Sequence, residues 1–379
     1  MRGHTMLTSI LRNIFRTNLG VKKTERCLIF TDNPSSRENI GSSECERRSR
    51  LKCIAFLSAE VGKEYAREVI FHEYPSTGSH GAEPPLELWE IAFGKKAVAA
   101  LDGKKVLGPL LGKKAGADDI KVAREVLARF KKDAIAAVIA LSNYSTSHTR
   151  FRDFLTGTCG ARYASMPLFE MSMLEGPMNV DWKHLAKVTK EIAGKINKAE
   201  KIEITTANGS RLSFSIRGRK ALADTGILTK RGSFGNLPAG EAFLAPVEGT
   251  AGGKLILDWA PTRELRSPVT LTIKDGLVRD VFGNEEFAEQ LREKLAEREE
   301  NRNIAELGIG TNSRAKRPDN ILESEKIMGT IHIALGDNSS FGGNVATPFH
   351  QDFVFFKPTV ILVHRDNSRV FLMKKGKFV

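Results

Sequence analysis

The sequence lacks several features that would place it at once in a common class. It has only four cysteines among 379 residues, and none of them forms a CxxC pair, which argues against a disulfide framework and favours reduced thiols in the cytoplasm. No apolar run approaches the roughly 18 to 20 residues that a membrane helix needs, so no membrane span is expected. No GxGxxG motif follows a predicted strand, so the sequence shows no dinucleotide fingerprint.

Aromatic residues are also scarce, at 7%, although the net charge of +13 is strongly basic. A basic protein invites comparison with nucleic-acid binders. The Lys and Arg residues, however, are spread along the chain with only short clusters at Arg47–Arg50 and Lys374–Lys377, and aromatics do not interleave with them. A solvated basic surface is therefore favoured over a nucleic-acid site, and a non-catalytic metal-binding or nucleic-acid-binding protein is kept as the third hypothesis.

The length suits two domains, which we predict at residues 1–185 and 186–379. The first begins with an amphipathic helix (Met6, Leu7, Ile10, Leu11, Ile14 and Phe15 at helical spacing) and then alternates strands with helices. Strands are predicted at Cys27–Thr31, Val69–Tyr74, Lys105–Gly108 and Ala134–Leu141, and helices within Ser35–Arg67 and at Asp118–Lys132. This alternation predicts an α/β domain with a parallel sheet.

The second half of the chain is richer in hairpin signals. After a predicted helix at Trp182–Ala199, the turn dipeptides Asn208-Gly209 and Asp275-Gly276 each separate two strand-like segments. A further helix is predicted at Glu285–Glu300. The pattern predicts a mainly β, α+β domain.

Potential metal ligands are concentrated in the strands of this second domain. His350 and Asp352 are two residues apart, so on a strand both side chains point to the same face and can reach one ion. His332 and Glu306 lie within apolar segments, where an unpaired charge is costly to bury. A divalent metal explains the set most simply, and we predict a metal-binding domain.

Other candidate groups are weaker. Glu241 begins an apolar strand, and Glu325 precedes the His332 strand. The isolated residues His72, His184 and His364 are interpreted as structural. Arg150 and Arg152 follow a predicted buried strand, where they either bind a carboxylate or cap a surface helix.

Several segments together resemble the aminopeptidase T family of metallopeptidases. They are SHTRFRD, GARYASMP, NLPAGEAFLAP, AELGIGTN, GTIHIALGDN and HQD, in the family's order from about residue 130 to 365. The resemblance implies one or two divalent ions, Zn²⁺, Co²⁺ or Mn²⁺, and a homodimer. It implies the metal ligands Glu241, Glu306, Glu325, His332, His350 and Asp352, with Glu306 bridging two ions or orienting the catalytic water.

The expected function is accordingly a metal-dependent hydrolase that releases N-terminal residues from small peptides. One departure bears on it, because the family carries a Tyr soon after the HxALG strand whereas Gly336–Ser340 contains none. The chain is also similar to the related 2,5-dihydroxypyridine dioxygenases, which implies the alternative of a mononuclear Fe(II) enzyme that cleaves a hydroxylated N-heterocycle. A facial metal site with open positions suits that chemistry.

Overall fold

The chain forms two compact units in a computed structural model. The structure describes residues 2–36 and 38–379, with side chains described from residue 7 onwards apart from residue 37, so the predicted contribution of Met6 lies outside the described side chains. One unit comprises residues 1–179 and 226–238, and the other comprises residues 180–225 and 239–379. None of the described helices is both long and apolar enough to cross a membrane.

The elements follow one another along the chain as follows. The helices are α1 (Arg2–Asn13), α2 (Ser42–Gly62), α3 (Leu86–Phe93), α4 (Lys95–Gly103), α5 (Leu107–Leu111), α6 (Ala117–Phe130), α7 (Arg150–Phe154), α8 (Met171–Glu175), α9 (Trp182–Ile196), α10 (Glu286–Ala296) and α11 (Ile321–Ser324), with π-helical turns at Ile14–Asn18 and Leu155–Cys159 and a 3₁₀ turn at Glu299–Arg302. The strands are β1 (Arg26–Asn33), β2 (Glu68–Pro75), β3 (Ala137–Ala140), β4 (Arg162–Ser165), β5 (Lys201–Thr205), β6 (Arg211–Ser215), β7 (Leu222–Asp224), β8 (Phe234–Asn236), β9 (Glu241–Leu244), β10 (Gly252–Ala260), β11 (Arg263–Lys274), β12 (Leu277–Phe282), β13 (Ile304–Gly310), β14 (Thr330–Gly336), β15 (His350–Phe356), β16 (Thr359–Val363), β17 (Arg369–Lys374) and β18 (Lys377–Phe378).

The first unit is built on a parallel sheet, which confirms the predicted fold class. Its strands lie in the order β2-β1-β3-β4-β8, and every pairing is parallel. Strand β3 is apolar and buried throughout, and β1 is buried from Cys27 to Asp32, as expected for a sheet covered on both faces by helices. The amphipathic helix at the N-terminus buries Ile10, Leu11, Ile14 and Phe15, and the Phe15 ring stacks on Tyr65.

Two details of the predicted first domain are wrong. The segment Lys105–Gly108 is not a strand, because Leu107 and Leu110 bury at helical spacing in the short helix α5. The predicted boundary at residue 185 falls inside α9, and residues 226–238 return to the first unit. They do so because β8 pairs with β4 and extends the parallel sheet.

The second unit contains two antiparallel sheets, which confirms its mainly β character. An eight-stranded sheet has the order β12-β11-β10-β6-β5-β16-β17-β18, and a five-stranded sheet has the order β15-β14-β13-β9-β7. The predicted hairpins form at β5–β6 and β11–β12. Apolar side chains from both sheets and from α9 and α10 share one core, which leaves the opposite face of the five-stranded sheet for polar residues.

Candidate metal centre

The register of the five-stranded sheet brings the predicted ligands to one face. Across neighbouring strands, Asp352 is paired with Ala334, and Ala334 with Glu306. His332 is paired with Gly308 on one side and Val354 on the other, so it lies on the same face two residues from Ala334. The start of β9 adds Glu241, whose backbone partner is Gly310.

Three of these side chains form a compact ligand set. Among the described residues, Glu306, His350 and Asp352 each offer an atom, and these atoms lie within 4.8 Å of one another. His350 Nε2 is 3.5 Å from a Glu306 carboxylate oxygen and 3.3 Å from an Asp352 carboxylate oxygen. The side chains are 9% exposed for Glu306, 17% for Asp352 and 28% for His350, so the set is open on the His350 side.

The orientation of His350 is fixed by the backbone. Its Nδ1–H donates to the carbonyl oxygen of Asp337 at 2.8 Å. This bond assigns a proton to Nδ1 and directs Nε2 at the two carboxylates. The imidazole is therefore prepared to ligate through Nε2.

His332 lies deeper, beside the same carboxylates. Its Nε2 is 3.4 Å from Glu241, 3.5 Å from Glu306 and 4.0 Å from Asp352, and the residue is 1% exposed. The ring lies directly over Gly308, where a Cβ atom would come within 2.0 Å of it. Only glycine at that position leaves space for the imidazole.

The remaining predicted ligands, Glu241 and Glu325, are joined by Lys326, a residue that no sequence pattern indicated. Lys326 is fully buried, and its ammonium donates to Glu241 at 2.7 Å and to Glu325 at 2.8 Å. Burial alone would lower the pKa of Lys326, but the two carboxylates raise it well above its usual value. The group is therefore an internal cation.

The pKa shifts of the histidines reflect the excess of carboxylates. Burial alone would lower the pKa of His350, but Asp352 and Glu306 raise it to about 10. Burial likewise opposes the shift at His332, whose pKa is raised to about 9 by Glu306, Glu241 and Asp352. The two imidazoles in turn hold the pKa of Asp352 below its usual value, although burial acts in the opposite direction. The pocket thus attracts positive charge.

The donor atoms fit a divalent metal ion. Within the described residues, Glu241 Oε2, Asp352 Oδ1 and His332 Nδ1 are buried without a hydrogen-bond partner. Buried polar atoms are rarely left unpaired, so two orphaned carboxylate oxygens facing an imidazole fit a cation site. Imidazole and carboxylate donors suit Fe²⁺, Mn²⁺, Co²⁺ and Zn²⁺.

A cavity of about 460 Å³ adjoins the ligand set within the same unit. Its wall includes His350 and Asp352, and the side chains of Glu325 and Val354 lie beside them. The lining also includes three aromatic rings, two side-chain amides and one ammonium group: Trp259, Phe287, Phe349, Gln290, Gln351 and Lys294. Its volume lies in the range of small-molecule sites.

A loop, residues 337–349, lies beside His350. Phe341 in this loop makes edge-to-face contacts with His350 and with Phe243, at ring distances of 6.0 and 5.8 Å. The loop is anchored by Glu248, which accepts from the Asn338 side chain at 3.0 Å and from the Asn344 backbone at 2.9 Å, and which pairs with Arg219. An aromatic ring without a hydroxyl therefore lies beside His350.

In the first unit, the candidate carboxylate-binding residues Arg150 and Arg152 have partners within that unit. Arg150 and Arg152 both form ion pairs with Asp153, and Arg152 also lies over the Phe234 ring at 4.2 Å. Thr149 caps the helix that carries them. These contacts favour the helix-capping alternative over a carboxylate site.

Comparison with known proteins points to one family of enzymes. The family model described as NicX, 2,5-dihydroxypyridine 5,6-dioxygenase, matches residues 177–379, which include all six predicted ligands. A 2,5-dihydroxypyridine 5,6-dioxygenase of Pseudomonas putida is 27% identical over 173 residues. That match covers 41% of this chain and 49% of the relative, so it spans about half the length of the curated protein.

Two solved structures share the fold over nearly the whole chain. The 2,5-dihydroxypyridine dioxygenase of Pseudomonas putida KT2440 has a TM-score of 0.67 at 18% identity, covering 98% of this chain and 96% of its own. Wild-type AmpT from Thermus thermophilus has a TM-score of 0.60 at 15% identity, covering 99% of both chains. At these identities the likeness establishes the fold alone.

Proposed function

Since the chain belongs to the 2,5-dihydroxypyridine 5,6-dioxygenase family, we propose that it is a metal-dependent dioxygenase that opens the ring of a hydroxylated pyridine. The observation that carries this proposal is the open set of Glu306, His350 and Asp352 beside a cavity of substrate size. The dioxygenase, which was the alternative hypothesis from the sequence, thus becomes the first hypothesis, and the aminopeptidase becomes the second. That the chain is an enzyme is supported by both groups of relatives.

Glu306, His350 and Asp352 would hold the metal, for which we propose Fe(II). Once bound, this ion would supply the redox chemistry with O₂ that ring cleavage requires. His332 Nε2 lies 3.5 Å from Glu306 and 4.0 Å from Asp352, where it orients both carboxylates and can hold a proton beside them. His350 keeps its ligating orientation through the Asp337 carbonyl.

The cavity suits a flat aromatic substrate. Trp259, Phe287 and Phe349 offer ring faces and edges, against which a heterocycle packs favourably. Gln290 and Gln351 supply amide groups that can donate to, or accept from, ring hydroxyls and the ring nitrogen. Phe341 adds an aromatic edge beside His350.

The test is oxygen uptake by protein loaded anaerobically with Fe(II) and supplied with 2,5-dihydroxypyridine and its hydroxypyridine isomers. We expect uptake of one O₂ per ring opened, and loss of at least about 100-fold in rate for Asp352→Ala, because a ligand is removed. Asp366→Ala, which removes an exposed carboxylate from the turn after β16, serves as control. Absence of oxygen uptake with every isomer, in protein shown to hold iron, would count against the proposal.

An aminopeptidase is the second candidate, favoured by the shared fold with AmpT and by the additional carboxylates Glu241 and Glu325 near His332. Hydrolysis of aminoacyl p-nitroanilides in the presence of Zn²⁺, Co²⁺ or Mn²⁺ would support it. The residues of the loop at 337–349 weigh against it, because Phe341 has no hydroxyl to assist at a substrate carbonyl. The described part of the structure tests neither the predicted homodimer nor the predicted cytoplasmic location, so both stay predictions.

A further inference from the structure

Lys326 lies where the sequence predicts half of a two-ion site. The six predicted ligands divide into the open set of Glu306, His350 and Asp352 and a second group of Glu241, Glu325 and His332. We call the second the deeper group after the buried His332, although its Glu325 also lines the cavity. In the deeper group, the Lys326 ammonium binds one oxygen of Glu241 at 2.7 Å and one of Glu325 at 2.8 Å. These are the two carboxylates that a second ion would need.

We propose that the Lys326 ammonium replaces a second metal ion, so that this chain binds one divalent cation and Lys326 sets that number. The proposal rests on the metal site of the proposed function, although it does not depend on the reaction.

Burial makes the Lys326 ammonium an effective substitute for a second metal ion. Lys326 is 0% exposed, so water screens its charge much less than that of a surface lysine. A lysine is almost never buried in this way unless it is paired, and here both of its partners are carboxylates. A divalent ion entering the deeper group would have to lie within a few ångströms of a fixed positive charge.

The deeper group is otherwise equipped for a metal. The second oxygen of Glu241 has no hydrogen-bond partner and lies 3.4 Å from His332 Nε2. Glu306 reaches both histidines, at 3.5 Å each, which is the position of a bridging carboxylate. Removing the ammonium would therefore leave Glu241, Glu325, Glu306 and His332 available to a second ion.

The test is the number of ions bound by wild type and by Lys326→Met, measured by equilibrium dialysis against Co²⁺ with elemental analysis. Methionine keeps much of the length of the side chain and removes the charge. We expect one Co²⁺ per chain in wild type and two in Lys326→Met. Lys254→Met, which removes an exposed lysine from β10, serves as the matched control and should keep one.

A second measurement covers the case in which Lys326→Met folds poorly without metal. Loss of the ammonium leaves Glu241 and Glu325 buried and unpaired, so the variant should melt at a lower temperature and regain stability when Co²⁺ is added. The Co²⁺-dependent rise in Tm should be larger than in wild type. Lys326→Gln provides a second neutral side chain for the same pair of measurements.

The outcomes separate this proposal from the proposed function. Two ions in wild type, or one ion in folded Lys326→Met and Lys326→Gln, would overturn the role of Lys326. No ion in wild type would overturn the metal site and this proposal together. One ion in wild type, two in the variants and no oxygen uptake would support the role of Lys326 while rejecting the dioxygenase.

Discussion

The missing side chain of Gly308 makes room for the His332 imidazole. A Cβ at this position would lie 2.0 Å from the ring, much closer than any real contact. We therefore expect Gly308→Ala to displace His332 and to cost about 1–3 kcal/mol of folding free energy through overpacking. Metal affinity, measured by calorimetric titration with Co²⁺, should fall on the order of 10-fold because His332 orients the carboxylates.

The control is another glycine in the same unit. Gly194 lies on the exposed face of α9 with no atom near an added Cβ, so Gly194→Ala should leave metal affinity unchanged. It should also stabilise the helix by up to about 1 kcal/mol. Wild-type Co²⁺ affinity in Gly308→Ala would show that His332 has no part in organising the ligands.

Most residues of the candidate centre could be predicted from the sequence, because period-two spacing on strands already places His350 beside Asp352. The structure brings Glu306, His332 and Glu241 to the same face, as the register of β9, β13 and β14 requires. Lys326 could not be predicted. Its partner Glu241 is 85 residues away, and a lysine next to a glutamate usually indicates a solvated surface.

At the level of elements, the loop of residues 337–349 depends on a clamp from outside its own sequence. Glu248 accepts two hydrogen bonds from the loop and pairs with Arg219, which in turn contacts the Gly342 carbonyl. We expect Glu248→Ala to release the loop, at a cost of about 1.5–3 kcal/mol for bonds to a charged group. Hydrogen exchange should increase in residues 337–349, and His350 should lose its fixed partner at Asp337.

The matched control is Glu200→Ala, which breaks a Glu–Arg pair with Arg217 on the surface of the same unit. An exposed pair of that kind contributes at most about 1 kcal/mol, so exchange in residues 337–349 should stay at the wild-type level. Equal exchange in the two variants would contradict the role of the clamp.

Elements with strong local signals were predicted well, and those that depend on distant partners were not. Asn208-Gly209 and Asp275-Gly276 predicted two hairpins that the structure contains, because two-residue turns of this kind fix the pairing locally. The three-residue strand β8 carries no such signal and exists through its pairing with β4. Lys105–Gly108 was wrongly predicted as a strand because four residues are too few to distinguish the two periodicities.

At the scale of the whole molecule, metal removal should affect one unit more than the other. Each unit has its own hydrophobic core, and all six predicted ligands belong to the unit of residues 180–225 and 239–379. A cation that binds only the folded site stabilises it by about 2.7 kcal/mol at a free concentration 100 times Kd. We therefore expect Co²⁺ to raise Tm by several degrees and chelation to reverse the rise.

Hydrogen exchange locates this effect within the chain. Protection gained on adding Co²⁺ should be concentrated in β9, β13, β14 and β15, since these strands hold the carboxylates and imidazoles that the ion would join. Asp352→Ala should lose the gain and Asp366→Ala should keep it. Protection that instead appears first in β1, β2 and β3 would place the cation at the parallel sheet. The proposed metal site on the five-stranded sheet would then be wrong.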